Sequence, residues 1–290
     1  MPLTWDLQIN KENYKTSNRD NSLRKMKLID AHIHLSDAEY TGHVDELIAD
    51  AKNAGVTALV TNSMDLKTCQ NDIKLSEKYP DLVYPALGIH PWNVNILKEN
   101  ELEETINFIQ KQKNVVKAIG EIGLDYKYET IWEKQTMVFD KMLHLAETLD
   151  LPVIIHSRGT TDKIVDMLPS YHLKRVLLHW FSHPMSALYK AVDNGYFITE
   201  GPPVTYSNGI REVVEKVPLT NFLTETDGPV TYWKRPYNGQ LTKPSFIRNV
   251  VEAVAEIKKM QVGDVAEQIA KNFEVFFNIK VNQKLYFTPS

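Results

Sequence analysis

LPVIIHSR, residues 151–158, is an apolar run that ends on a histidine and, two positions later, an arginine. A strand without polar alternation must be covered on both faces, and such strands build parallel sheets flanked by helices. VTALVT (56–61) and VVKAIG (115–120) read the same way. Strands are expected near 27–32, 56–62, 82–89, 115–122, 152–156, 175–179, 195–200 and 221–226. Helical patterns fall between them near 43–54, 65–79, 99–112, 132–149, 161–168, 184–193, 209–216 and 244–259. Eight strand–helix units in unbroken alternation, with polar residues gathered where strands end, predict an α/β fold: a (β/α)8 TIM barrel with its chemistry on the C-terminal rim. A helical pattern near 262–278 is an extra C-terminal element. The rival, an open doubly wound sheet, lacks a glycine-rich phosphate loop at any strand-to-helix turn.

The first 25 residues are largely polar and without periodicity, so they read as an N-terminal extension to a barrel over 26–280, with 281–290 as a tail. The chain has 290 residues, 43% of them hydrophobic, enough for one large core. A net charge of −4 argues against a broad basic nucleic-acid platform, although bound cations can attract phosphate locally. The single cysteine, Cys69, excludes an intrachain disulfide and reads as helix packing in a reducing compartment. No apolar run approaches the roughly 20 residues that span a bilayer, and residues 1–25 lack a secretory core. A cytoplasmic protein with no membrane contact and no obligate protein partner is expected.

The strand ends carry the chemistry. In MKLIDAHIHL (26–35), Asp30, His32 and His34 share one side of an extended strand, so two imidazoles can reach one cation. Asp30 is expected to orient one of them from behind. AIGEIGLDY (118–126) sets Glu121 between Gly120 and Gly123, where a carboxylate can bridge two cations; Asp125 and Tyr126 follow as candidates to line a pocket. His156 ends strand five, with Arg158 facing the same way to grip an anionic substrate. VLLHWFSHP (176–184) brings His179 to strand six, and FLTETDGP (222–229) brings Asp227 to strand eight, placed to bind metal and accept a proton from water. Glu225 shares the parity of Asp227. His90, in ALGIHPW (86–92), reads as a substrate contact or as packing against Pro91 and Trp92. His43, His144, His172 and His183 read as structural. Each motif alone has a bland explanation in capping, salt bridging or packing; their common register does not.

These motifs together resemble the TatD family of metal-dependent hydrolases, within the amidohydrolase-like barrels. The likeness rests on D-x-H-x-H (Asp30, His32, His34), G-x-H-P (Gly88, His90, Pro91), G-E-I-G-L-D-Y (Gly120 to Tyr126), H-x-R (His156, Arg158), H-x-F-S (His179 to Ser182), E-T-D-x-P (Glu225 to Pro229) and the final VAEQIAKNFEVFF (265–277). It spans about residues 26–278. The resemblance implies one to about three divalent ions, Zn, Mn, Mg, Co or Ni, held by His32, His34, Glu121, His156, His179 and Asp227. It implies that His90 and Arg158 touch a substrate phosphate and that nucleotides are removed from the 3′ end of DNA or RNA; Tyr126, from its place in the loop after strand four, is expected to bind substrate beside them. Three loops depart from the family: His183-Pro184 after strand six, Glu200 with Pro202-Pro203 after strand seven, and TYWKRPYNGQLTKP (231–244) after strand eight.

Phosphodiester hydrolysis by water activated between the metals, with Asp227 and Glu121 as the catalytic carboxylates, is the leading expectation. Rim aromatics, Trp92, Tyr126, Trp180 and Tyr232 or Trp233, are candidates to stack on a base. Hydrolysis of an ester, lactone, amide or aminoacyl-tRNA on the same site is the alternative. A barrel that has lost its chemistry is the third, and it would be expected to have lost a ligand.

Overall fold

Each apolar run forms a strand: β1 (Leu28–Ile33), β2 (Val56–Asn62), β3 (Val83–Leu87), β4 (Ala118–Gly123), β5 (Val153–His156), β6 (Val176–Leu178), β7 (Phe197–Glu200) and β8 (Phe222–Thr224). These come from a computed structural model that describes residues 26–281; the extension (1–25) and nearly all of the tail (282–290) lie outside the described residues. The sheet runs in chain order from β1 to β8 with every neighbouring pair parallel. Between strands lie α1 (Val44–Ala54), α2 (Leu66–Lys78), α3 (Glu101–Lys111), α4 (Trp132–Leu149), α5 (Thr161–Met167), α6 (Met185–Asp193) and α7 (Asn208–Lys216). After β8 come α8 (Ile247–Lys258) and the expected additional helix α9 (Val262–Phe277). No described helix is long and apolar enough to cross a membrane.

The sheet closes into a barrel through bonds beyond the last ladder. The Asp227 amide donates to the His32 carbonyl at 2.9 Å and the His34 amide to the Gly228 carbonyl at 2.8 Å, while Thr224 Oγ1 donates to the Ile29 carbonyl at 2.6 Å. Asp30 is part of this seam. Its carboxylate accepts from the Thr226 amide at 2.9 Å and from Thr226 Oγ1 at 2.6 Å. The expectation that Asp30 orients an imidazole is not met: among the described residues its carboxylate meets backbone and a threonine. The pairing of β1 with β2 shifts register between Asp30 and Ile33, the stretch that carries His32.

Strand interiors such as Ile29, Leu59, Ile119, Ile154 and Leu177 are sealed from solvent, each contributing about 1.5–3 kcal/mol by leaving water. Phe273 and Phe276 of α9 are equally buried, and Asn272 donates to the carbonyls of Leu219 and Phe222, both at 2.7 Å, which ties that helix to the start of β8. Cys69 is packing, as its helix position suggests; burial pushes its thiol up to about 12. The observed ladders are shorter than the expected strands at β3, β4, β6 and β8 in particular. At the C-terminal ends of β6 and β8 the chain leaves the sheet to present its ligands, and Trp180 and Asp227 take left-handed backbones, φ 39° and 49°. α8 starts at Ile247 rather than 244 because Pro244–Phe246 form a tight turn first.

Candidate metal centre

The polar ends of five strands converge on one rim. Glu121, from β4, stands between two groups of nitrogens. Its Oε2 lies 3.2 Å from His32 Nε2 and 3.1 Å from His34 Nε2. Asp227 Oδ1 lies 3.4 and 3.5 Å from the same two nitrogens, which are 3.2 Å apart. Glu121 Oε1 lies 2.9 Å from His156 Nδ1 and 2.8 Å from His179 Nε2, themselves 3.3 Å apart. All six ligand candidates therefore meet, in two sets sharing one carboxylate.

Spacing and lone-pair direction test whether cations fit. A metal bonded to nitrogen or oxygen at 2.0–2.2 Å separates its ligand atoms by about 2.8–3.6 Å, from octahedral to tetrahedral angles, the range found in both sets. His34 Nδ1 donates to the Asn62 carbonyl at 2.9 Å, which turns the lone pair of Nε2 inward. His156 Nε2 donates to Asp125 Oδ2 at 2.9 Å, which turns Nδ1 inward. Two imidazole lone pairs facing each other repel unless a proton or cation lies between them, and Glu121 Oε2 is buried without a hydrogen bond. The donor set fits divalent metal.

His90 differs from the four histidines in the cages. Its Nδ1 accepts the Trp92 amide at 3.1 Å, so the neutral ring carries its proton on Nε2 and points it at Glu121 Oε1, 3.1 Å away. That makes it a donor beside the cages rather than a ligand within them. Burial pushes its pKa down to about 4 despite the nearby Glu121 charge, which keeps the ring neutral.

The electrostatics follow from two buried carboxylates among imidazoles. For His34, burial disfavours the charged ring, but the carboxylates of Asp227 and Glu121 beside it outweigh that and push the pKa up to about 10. His156 and His179 are raised by the same balance, with Asp125 assisting the first and Glu225 the second. Burial would raise Glu121 and Asp227, yet their histidine neighbours hold both well below the carboxylate range. The field that keeps protons on these rings is the field that binds cations.

Asp125 is the member whose role the sequence understated. Fully buried, it accepts from His156 Nε2, Trp92 Nε1 (2.6 Å) and both Nε (3.0 Å) and Nη2 (2.9 Å) of Arg158. The parity of His156 and Arg158 carried the signal: two donors on one side of β5 need a shared acceptor. Glu225 supports from below, 3.6 Å from His179 Nδ1 and bonded by Thr199 Oγ1 at 2.5 Å. The glycines on either side of Glu121 make room for the neighbouring strand. A Cβ on Gly120 would stand 2.8 Å from Ile154 Cβ, and one on Gly123 2.0 Å from the His156 carbonyl, so both make room for β5.

A cavity of about 440 Å³ opens onto the cages, walled by His90, Arg158, Trp92, Trp180, Met64 and Val230 among others. Tyr126 stands outside that wall, half exposed, its ring stacked on Trp132 with centroids 5.2 Å apart. Tyr232 is buried and donates to the Thr226 carbonyl at 2.6 Å. His43 and His144 are exposed and pair with Glu46 and Glu147.

The family model for TatD-related DNases matches residues 29–278. An uncharacterized metal-dependent hydrolase of Methanocaldococcus jannaschii is 32% identical over 255 residues, covering 88% of this chain and 98% of the relative. Human deoxyribonuclease TATDN3 is 30% identical over 256 residues, covering 84% and 92%. The crystal structure of YjjV, a TatD homolog from Escherichia coli, superposes with a TM-score of 0.82 at 30% identity, covering 89% of this chain and 99% of that one. The barrel and the matched span agree from one end of the ligand series to the other, and the chain belongs to the TatD-related DNase family of metal-dependent hydrolases.

Proposed function

We propose that the chain hydrolyses phosphodiester bonds at the 3′ end of single-stranded DNA or RNA. The observation that carries this reading is the wall beside the cages: the half-exposed Arg158 guanidinium and the Nε2–H of His90 face one cavity with the two carboxylates. Cations held by His32, His34, Asp227, His156, His179 and the shared Glu121 would supply Lewis acidity and make water acidic enough to attack. Zn²⁺, Mn²⁺, Co²⁺, Ni²⁺ and Mg²⁺ all suit such donors, and supply often decides among them.

The chain's own groups do the rest. Asp125 holds the Arg158 guanidinium by two of its nitrogens, leaving Nη1 to take a nonbridging phosphate oxygen. The His90 Nε2–H, held by Glu121 Oε1 in this structure, would be free for a second oxygen once cations engage that carboxylate. Asp227 accepts a proton from the water as the new P–O bond forms, and the bond to the departing sugar oxygen breaks as that oxygen takes a proton from solvent. The names of the human and other TATDN3 relatives support nuclease chemistry. The test incubates full-length protein with end-labelled single strands, blocked at the 3′ or the 5′ end, beside esters, lactones and amides, under each metal in turn. Metal-dependent shortening that a 3′ block stops is expected; turnover confined to the non-phosphate panel would transfer the site to carboxylic-acid derivatives.

A further inference from the structure

The loop between β8 and α8 carries features that the cages do not use. Between Asp227 and Glu252 the chain has no acidic residue but has Lys234, Arg235, Lys243 and Arg248, in a protein whose net charge is −4. Lys243 and Arg248 are engaged, the first 3.5 Å from Asp50 and the second on the Ala54 carbonyl at 2.7 Å. Lys234 and Arg235 are exposed and pair with no carboxylate among the described residues. Beside them Trp233 is 70% exposed, an unusual position for a large ring. Its centroid lies 6.2 Å from that of Tyr206, and Lys234 Nζ lies 4.7 Å from the first ring and 5.5 Å from the second.

This surface adjoins the cavity, because Val230 and Thr231, on the same short stretch, line it. It is also held in place. Asn238 Nδ2 donates to the Trp233 carbonyl at 2.8 Å, Tyr40 Oη to the Thr242 carbonyl at 2.6 Å, and Thr242 Oγ1 to the Val230 carbonyl. Tyr232, Tyr237 and Phe246 form a separate buried cluster beneath, with Trp180 packed against it as well as lining the cavity. A preset ring beside cations that meet no described carboxylate is what a single strand requires: a face on which any base stacks and charge for its phosphates.

We infer that Trp233, Tyr206, Lys234 and Arg235 form a binding surface for the nucleotides of a single strand next to the one in the cavity. The inference rests on the nucleic-acid reading above and extends it to a residue set outside the metal centre. A base on the open face of Trp233 sets its phosphate within reach of Lys234 and Arg235, and continuity along the strand sends the terminal nucleotide past Thr231 to the cages.

The test measures anisotropy of a labelled oligothymidylate of about ten residues on metal-free, full-length protein, where no cleavage intervenes. Trp233→Ala is expected to weaken binding about tenfold, Trp233→Phe to restore most of it, and Lys234→Ala to flatten the salt dependence by about 0.7 in log–log slope. Equal affinity for wild type and Trp233→Ala, no binding by wild type, or a Trp233-dependent dimer in sedimentation would each overturn the surface. Cleavage with metal restored is scored separately. An oligomer bound through Trp233 but left intact defeats the nuclease reading alone; one cut by a 3′-directed activity without regard to Trp233 defeats the surface alone.

Discussion

Asp227 holds a left-handed backbone, φ 49°, a conformation that costs a non-glycine residue about 1–3 kcal/mol and persists where neighbours enforce it. The turn lets one residue close the barrel through its amide and face two imidazoles through its carboxylate. Asp227→Asn keeps the shape but removes the proton acceptor, so turnover should fall by about 10²–10⁴ with circular dichroism unchanged. A variant within threefold of wild type would remove Asp227 from the chemistry. Asp125 acts through others. Burial alone would raise its pKa, but donors from His156, Trp92 and Arg158 hold it well below the carboxylate range. Asp125→Asn should weaken metal affinity about 10–100-fold, seen by calorimetric titration, and raise KM by releasing Arg158. Undiminished metal affinity would show that His156 needs no outer partner.

At the scale of elements, β4 and β5 approach so closely that only glycine fits at the crossing. Gly123 has φ +152°, and an added Cβ would lie 2.0 Å from the carbonyl of His156, itself a ligand candidate. Gly123→Ala should cost about 2–4 kcal/mol in chemical denaturation and lower metal affinity, because strain relieved at β5 displaces the imidazole. Gly239→Ala is the control: its φ is +76° but nothing lies within 4 Å, so only the local backbone cost remains. Equal losses in the two variants would mean that the contact with β5 carries no weight. The strands and helices themselves were legible, because nearly continuous apolar runs and helical periodicity are local signals. Their exact ends were not, since the chain exits β6 and β8 under constraints set by the opposite side of the barrel.

For the whole molecule, the pH dependence of folding follows from the buried cages. His34 binds its proton more tightly folded than unfolded, with a pKa near 10 against 6.5, so its contribution is complete below about pH 6.5 and lost as pH rises towards 10. Glu121 and Asp227, held low, contribute above their ordinary range near pH 4 and lose that contribution in acid. Chelated protein should therefore be most stable in mild acid and melt progressively lower towards pH 10. Added Zn²⁺ or Mn²⁺ should remove most of that alkaline slope, since a cation takes the place of the protons, and should raise Tm by an amount that grows with metal concentration. Parallel slopes with and without metal in thermal melts would contradict the assignment of these rings as ligands. What the sequence determined by itself was the alternation of covered strands and helices and the residue types at strand ends, because both depend on neighbours in the chain. The tertiary structure alone decided that Asp30 joins β1 to β8, that Asp125 rather than Tyr126 organises the wall beside His156, and that Trp233 stands exposed against Tyr206 beside the mouth. Those outcomes depend on distances between residues about 30 to 200 positions apart, which are set when the sheet closes and not before.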